Sequence, residues 1–224
     1  IGDMPEVEGG WRPDGGAEGF INYRPNQKKS HPYVIHMRAG LTRAGSGRLY
    51  DHITRPVRDD DLKIFQQMDS STKYNEIDPE LRRYRDDIFL DKYKRLDPDK
   101  PSRAITAHIA KDGYWYNHPS QHRTLTVREA ARLQTFPDRV RFAGPPSIAF
   151  RQIGNAVPPI LAEKLGGEIL TSLKLGETNP FRTRDISYRL SSWLEQKIST
   201  KETLAIPWLC AETPWQVIQA ELLL

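Results

Sequence analysis

Few side chains in this sequence are placed for covalent or metal chemistry. Cys210 is the single thiol, so no internal disulfide can form, a pattern that fits a reducing compartment. His118 and His122 stand four apart, a spacing that would put both on one face of a helix. Pro119 works against that helix, no cysteine or third ligand stands nearby, and a structural metal site wants four ligands, so no metal is expected. What remains is the chemistry of polar recognition. Arg38, Arg43 and Arg48 are spaced through and around the glycine-bearing segment 40–47. Such a loop can carry guanidiniums to a phosphate backbone; it can equally be plain solvated surface. Arg123, Arg128 and Arg132 form a second basic group, the last two four apart as helix neighbours. Asn155, beside Gly154, offers a donor and an acceptor to a polar ligand.

These residues must be held by a modest core. The chain has 224 residues, enough for one domain or parts of two, with 38% hydrophobic and 28% charged residues. A formal charge of +4 permits an acidic partner such as nucleic acid without demanding one. No apolar run approaches the roughly 20 residues that cross a bilayer, and no leader peptide is visible. The sequence starts at Ile1 rather than methionine and stops inside the run Leu222, Leu223, Leu224. It is therefore expected to be a piece of a longer protein.

In chain order, residues 1–30 read as irregular surface and 33–37 as a short β-prone run. Residues 58–68 predict a helix with Asp59, Asp60 and Asp61 at its positive end and a thin stripe of Leu62, Phe65 and Gln66. Residues 80–93 predict a charged surface helix carrying Leu81, Tyr84, Ile88 and Phe89. Ile105, Ala107 and Ile109 alternate, then Asp112-Gly113 and three aromatics follow, which predicts a hairpin. Thr126 and Glu129 have the spacing of a capping box at the start of a helix that ends at Pro137. Gly144-Pro145-Pro146 reads as a turn and Gly154-Asn155 as a loop. Pro158 and Pro159 then open a helix in which Leu161, Leu165 and Ile169 make a stripe running up to Leu175. Ile186, Leu190, Leu194 and Ile198 repeat with helical spacing in the tail, and Thr213-Pro214 starts another helix.

Two blocks carry a family resemblance. Residues 123–138 read R-x-L-T-x-R-E-A-A-R-L-Q-x-F-P-D, and residues 152–162 read Q-I-G-N-A-V-P-P-x-L-A. Together they resemble motifs IX and X of the DNA cytosine-5 methyltransferases. Upstream, Ile1-Gly2-Asp3-Met4-Pro5 is similar to the segment after motif VIII, and residues 95–108 to the approach to motif IX. The resemblance covers about residues 1–175. It implies an α/β fold: a Rossmann-like methyltransferase, of which this chain supplies the C-terminal part. A mixed α+β target-recognition region would span 1–120, motifs IX and X 121–176, and an all-α tail 177–224.

The implied reaction moves a methyl group from S-adenosylmethionine to C5 of a cytosine flipped out of double-stranded DNA. A cysteine thiolate attacks the ring and a glutamate assists. By the same resemblance Asn155, Ala156 and Val157 lie beside the cofactor. Arg123, Arg128 and Arg132 support the recognition region and the DNA interface. Arg38, Arg43 and Arg48 are the candidate base readers, since arginine is the commonest reader of guanine edges. A cognate restriction endonuclease is the implied companion, and the cytoplasm, on the nucleoid, the implied place.

The departures are as informative. The Gly-rich cofactor loop, the Pro-Cys nucleophile and the Glu-Asn-Val segment are absent, and Cys210 follows Leu209 rather than a proline. The catalytic half is expected to precede Ile1, and this chain alone to transfer no methyl group. The tail resembles the opening of helix-hairpin-helix mismatch DNA glycosylases, with Trp208-Leu209 and Thr213-Pro214-Trp215 near their aromatic-rich start. That likeness would put Glu221 in a base pocket. An unrelated helical extension is the alternative.

Overall fold

A computed structural model describes residues 1–23, 31–42, 47–88 and 90–175, with side chains through residue 170 except Ala17. Arg43, Phe89, Cys210, Glu221 and the whole tail from 176 lie outside the described residues. The chain forms two compact units, Ile1–Ala156 and Val157–Leu224. The first holds β1 (Phe20–Asn22), α1 (Pro32–Arg38), β2 (Arg48–Tyr50), α2 (Asp59–Gln67), α3 (Val127–Leu133) and α4 (Pro146–Asn155); α5 (Pro159–Leu175) belongs to the second. β1 and β2 pair antiparallel, with Phe20 opposite Tyr50 and Asn22 opposite Arg48. This is the only sheet among the described residues, so the Rossmann-like sheet is not among them. Residues 121–156 pack in the same unit as the region before them.

Several expectations change, each for a local reason. Residues 33–37 lie in a helix, α1, not a strand. His31 Nδ1 accepts the Tyr33 N–H at 3.2 Å, Pro32 takes the first position, and Val34 and Met37, three apart, turn inward. α2 forms where the acids predicted it, but with a shifted stripe. Ile64, Phe65 and Met68 are buried while Leu62 and Gln66 face out. The phase is set by Asp61, wholly buried, which accepts from Tyr93 Oη at 2.6 Å and Tyr114 Oη at 2.5 Å and pairs with Arg83.

The helix expected over 80–93 is not there; one 3-10 turn, Pro79–Leu81, gives way to irregular turns. Tyr74 Oη accepts the N–H groups of Arg83 and Tyr84 at 2.7 and 3.2 Å, donors that a helix would have used. Tyr74, Tyr84, Tyr93 and Tyr114 then stack around Phe65 as a second core. The hairpin is likewise replaced by single turns, Ala107–Ala110 and Gly113–Trp115. Ile105 and Ile109 are buried as expected, but they are also four apart, and the Thr106 carbonyl takes the Ile109 N–H to close a helical turn.

Gly154-Asn155 is the end of α4 rather than a loop. A side chain at Gly154 would collide with the Thr106 carbonyl and the Ala107 nitrogen. Glycine is there for close backbone packing, not for an unusual backbone angle. Pro159 opens α5 as the sequence predicted, and its Leu161, Leu165 and Ile169 are about half exposed or more.

What closes the first unit is a buried ionic frame on α3. The capping box is present: Thr126 Oγ1 accepts the Glu129 N–H at 3.0 Å, and Glu129 accepts the Thr126 N–H at 2.8 Å. The carboxylate of Glu129 also takes both terminal nitrogens of Arg123 at 2.8 Å, while Arg123 Nε donates to the Val7 carbonyl. Arg132 grips Asp138 with two bonds of 2.8 and 2.6 Å and reaches Asp3 at 2.6 Å. Arg128 donates to Asp51 at 2.7 Å and to the carbonyls of Tyr50 and Val140. Every residue of α3 from Val127 to Arg132 is buried, so both faces of this helix are interior.

Burial alone would lift Asp3, but Arg132 holds its carboxyl below the ordinary range. Burial also opposes the charge on Glu129, and Arg123 overcomes it, bringing the pKa from 4.5 down to about 2. His118 sits 3.6 Å from Glu129, and burial still takes it from 6.5 to about 4, so it is neutral. Burial lowers His52 as well; its ring bridges Thr126 and the Pro5 carbonyl.

Two outcomes follow from this frame. Arg132→Met leaves Asp3 and Asp138 buried without their partner and should cost about 3–5 kcal/mol in urea unfolding, while Arg139→Met, at an exposed site, should stay within about 0.5 kcal/mol. Acid should act in two windows. Between pH 6.5 and 4 the unfolded chain binds protons that buried His118 refuses, so stability falls as pH falls. The contribution of Glu129 is whole above pH 4.5 and is lost toward pH 2. Unfolding midpoints recorded from pH 7 to 3 should show both limbs, and His118→Gln should flatten the upper one only.

Candidate functional site

The structure separates the five candidate arginines that lie among the described residues; Arg43 lies outside them. Arg123, Arg128 and Arg132 are at most 1% exposed and fully occupied by carboxylates and carbonyls, so they are interior organisers and not phosphate contacts. Residue type and spacing at 123–132 are the same for a basic DNA face and a buried ionic frame. What distinguishes them is the matching set of acids, Asp3, Asp51, Glu129 and Asp138, which only the fold brings to the arginines. Arg38 lies over the Tyr23 ring at 3.8 Å and pairs with Asp3 at 2.8 Å, which ties it to the same frame. Arg48 is the one of the described candidates that stands at the surface.

Arg48 sits on the outer face of the two-stranded sheet. Period two sends Leu49 inward, to Met4 and Tyr23, and leaves Arg48, Tyr50, Phe20 and Asn22 on the other side. The Arg48 guanidinium lies 4.5 Å from the Phe20 ring centre, Phe20 and Tyr50 are 5.7 Å apart, and Arg141 lies 4.1 Å from the Tyr50 ring. Arg141 Nε donates to Asp51 Oδ2 at 3.2 Å, the oxygen that Arg128 holds from inside. Asp51 has φ of 59°, a left-handed angle that aspartate tolerates better than most residues. Beside it opens a cavity of about 460 Å³. Phe20, Tyr50, Asp51 and Arg141 were not singled out from sequence; three of them come together only through the pairing of distant strands.

The cofactor-side candidates are also distinguished. Asn155 is exposed at the C-terminal end of α4, and no described residue occupies its amide. Ala156 is buried; its N–H bonds the Ile153 carbonyl and its own carbonyl accepts from Gln134 Nε2 at 2.8 Å. Val157, half-buried, begins the second unit. An unengaged amide fits an edge contact to a polar cofactor, whereas the backbone of Ala156 is already committed. The two histidines are engaged elsewhere: His118 Nδ1 accepts the N–H groups of Ser120 and Gln121, and His122 bonds Arg95 at 2.6 Å. Among the described residues no cluster of three or more metal-ligating side chains occurs, and no helix is long and apolar enough to cross a membrane.

Known proteins match parts of this chain. The type II methyltransferase M.Bpa9945I of Bacillus paralicheniformis is 40% identical over 121 residues, 50% of this chain and 27% of that protein. M.XorII of Xanthomonas oryzae pv. oryzae, another type II methyltransferase, is 28% identical over 188 residues, 80% of this chain and 42% of that one. The DNA (cytosine-5-)-methyltransferase M.ApeKI of Aeropyrum pernix is 42% identical over 73 residues, 33% of this chain and 16% of the relative. The chain thus spans well under half the length of these relatives. A profile of the C-5 cytosine-specific DNA methylases matches residues 25–171, short of the tail, so the glycosylase likeness of 177–224 gains no support from it. With about two thirds of its length inside that profile, this chain belongs to the C-5 cytosine-specific DNA methylase family.

Proposed function

We propose that this chain supplies the DNA-reading region and one cofactor-side edge of an enzyme that methylates C5 of cytosine in double-stranded DNA. The match of the family profile to residues 25–171 carries this reading. S-adenosylmethionine, when bound, supplies the methyl group. Asn155 holds that cofactor through its unengaged amide, and Gln134 fixes the turn behind it by bonding the Ala156 carbonyl. The ionic frame of α3 presents the surface that meets DNA rather than touching DNA itself. The nucleophilic cysteine and its glutamate are supplied by a catalytic half outside these 224 residues, and a Rossmann-like sheet belongs to that half. The enzyme works on the nucleoid in the cytoplasm, and a restriction endonuclease of the same specificity is its fitting companion.

Two measurements test this. The 224-residue chain alone, mixed with DNA and S-adenosylmethionine bearing a labelled methyl group, should put no label on cytosine; turnover would sink the division of labour. In the full-length polypeptide that carries the chain, Asn155→Ala should raise KM for S-adenosylmethionine about three- to tenfold, the worth of one hydrogen bond, with an unchanged melting temperature. An unchanged KM removes Asn155 from the cofactor.

A further inference from the structure

Arg55 is half-buried and held without an acid. Its Nη2 donates to the Ile109 carbonyl and, at 3.5 Å, to that of Ala110, and its guanidinium lies 4.0 Å from the centre of the Phe150 ring. Among the described residues no carboxylate bonds to it; Asp112 acts on it from a distance and is itself held by Lys92 at 2.8 Å. Burial pushes its pKa from 12.5 down to about 10, still far above neutrality, so the group stays charged. A flat cation can stack on one ring while its fork reaches two carbonyls. The lysine ammonium is a point charge and cannot do both.

These contacts tie two parts of the chain together. Ile109 and Ala110 belong to the turn Ala107–Ala110, and Phe150, wholly buried, lies on α4. Gly154 is four residues on from Phe150 and so on the same side of the helix. It rests on the start of that turn, where an added Cβ would collide with the Thr106 carbonyl. The guanidinium is wedged in turn against Gly113, where an added Cβ would collide with Nη1. Past the end of α4, Gln134 holds the Ala156 carbonyl. The helix is thereby gripped at Phe150, at Gly154 and just beyond its end. Asn155 is turned about 100° from Gly154 and stands exposed between the last two grips. The grips fix the roll of α4, and that roll sets the direction of the Asn155 amide.

We propose that Arg55 is a positioning residue for Asn155: by clamping Phe150 to the turn Ala107–Ala110 it fixes the end of α4, and with it the amide that meets S-adenosylmethionine. Arg55 acts through the helix and does not itself contact the cofactor. The inference rests on the cofactor role of Asn155 and deepens it, since it assigns the side chain that aims the amide.

KM for S-adenosylmethionine, kcat and melting temperature, measured on the full-length polypeptide that carries the chain, test it. Arg55→Lys keeps the charge and loses the stack and the fork. It should raise KM about threefold, within the worth of one hydrogen bond, and leave kcat within a factor of about two. Gly113→Ala keeps Arg55 and pushes its guanidinium aside; it should raise KM by a similar factor, and serves where Arg55→Lys melts early. Ile64→Ala, in the second core, lowers the melting temperature through lost packing alone and should leave KM where it was. In the double variant Arg55→Lys/Asn155→Ala, KM should be no higher than in Asn155→Ala, since a misaimed amide and a missing one lose the same bond. KM rises that multiply in the double variant overturn the positioning role and leave Asn155 at the cofactor. So does a KM unmoved by both Arg55→Lys and Gly113→Ala while Asn155→Ala raises it. A rise in Ile64→Ala equal to that in Arg55→Lys reduces the effect to stability and overturns it too. KM unmoved in Asn155→Ala overturns the cofactor role and the positioning role together.

Discussion

Arg132 stands between two carboxylates that the sequence keeps 135 residues apart, Asp3 and Asp138, and both bonds lie where water does not reach. Charges in such a place are costly to desolvate, and only full pairing makes them tolerable. That condition fixes more than one contact. Asp138 also accepts from Tyr23 Oη at 2.5 Å, and Asp3 from Arg38, so one guanidinium aligns the N-terminal segment, the strand region and α1 on the short helix α3. Arg123 and Arg128 repeat the device with Glu129 and Asp51. A helix of seven residues has little stability of its own; here it is held by what its side chains bind.

The sequence was most legible where a local rule and the tertiary demand coincide. The Thr126/Glu129 box, the acids opening α2 and the proline opening α5 act through neighbours a few residues away, and each appears where it was read. Legibility failed where one pattern serves two geometries. Ile105 and Ile109 satisfy an alternating strand and a helical turn alike, and the choice falls to Thr106 and to the close approach of Gly154. Over 80–93 the helical spacing was real, but the Tyr74 hydroxyl, from outside that stretch, takes two of its backbone donors.

The candidate site shows the same division. Asn155, singled out from its motif, stands exposed at the end of α4, an exposure that depends on a short stretch of chain. The arginines could not be placed, because burial of a cation is decided by where its anion is, and Asp3 or Asp51 carries no mark of that partnership. The row of Arg48, Phe20 and Tyr50 on β1 and β2 was invisible for a further reason: Phe20 and Tyr50 become neighbours only through strand pairing across 29 intervening residues.

The stitching of residues 3–7 to residues 121–138 has a practical corollary for building chimeras. The natural-looking seam near residue 120 runs through Arg123 and the Val7 carbonyl, through Arg132 and Asp3, and through Val7 N–H and Gln121. A swap of segments between relatives cut at that seam would join mismatched halves of every clasp. The transplantable piece begins ahead of Asp3 and carries α3 and α4 with it, so the module that can be exchanged is larger than the stretch ahead of the seam.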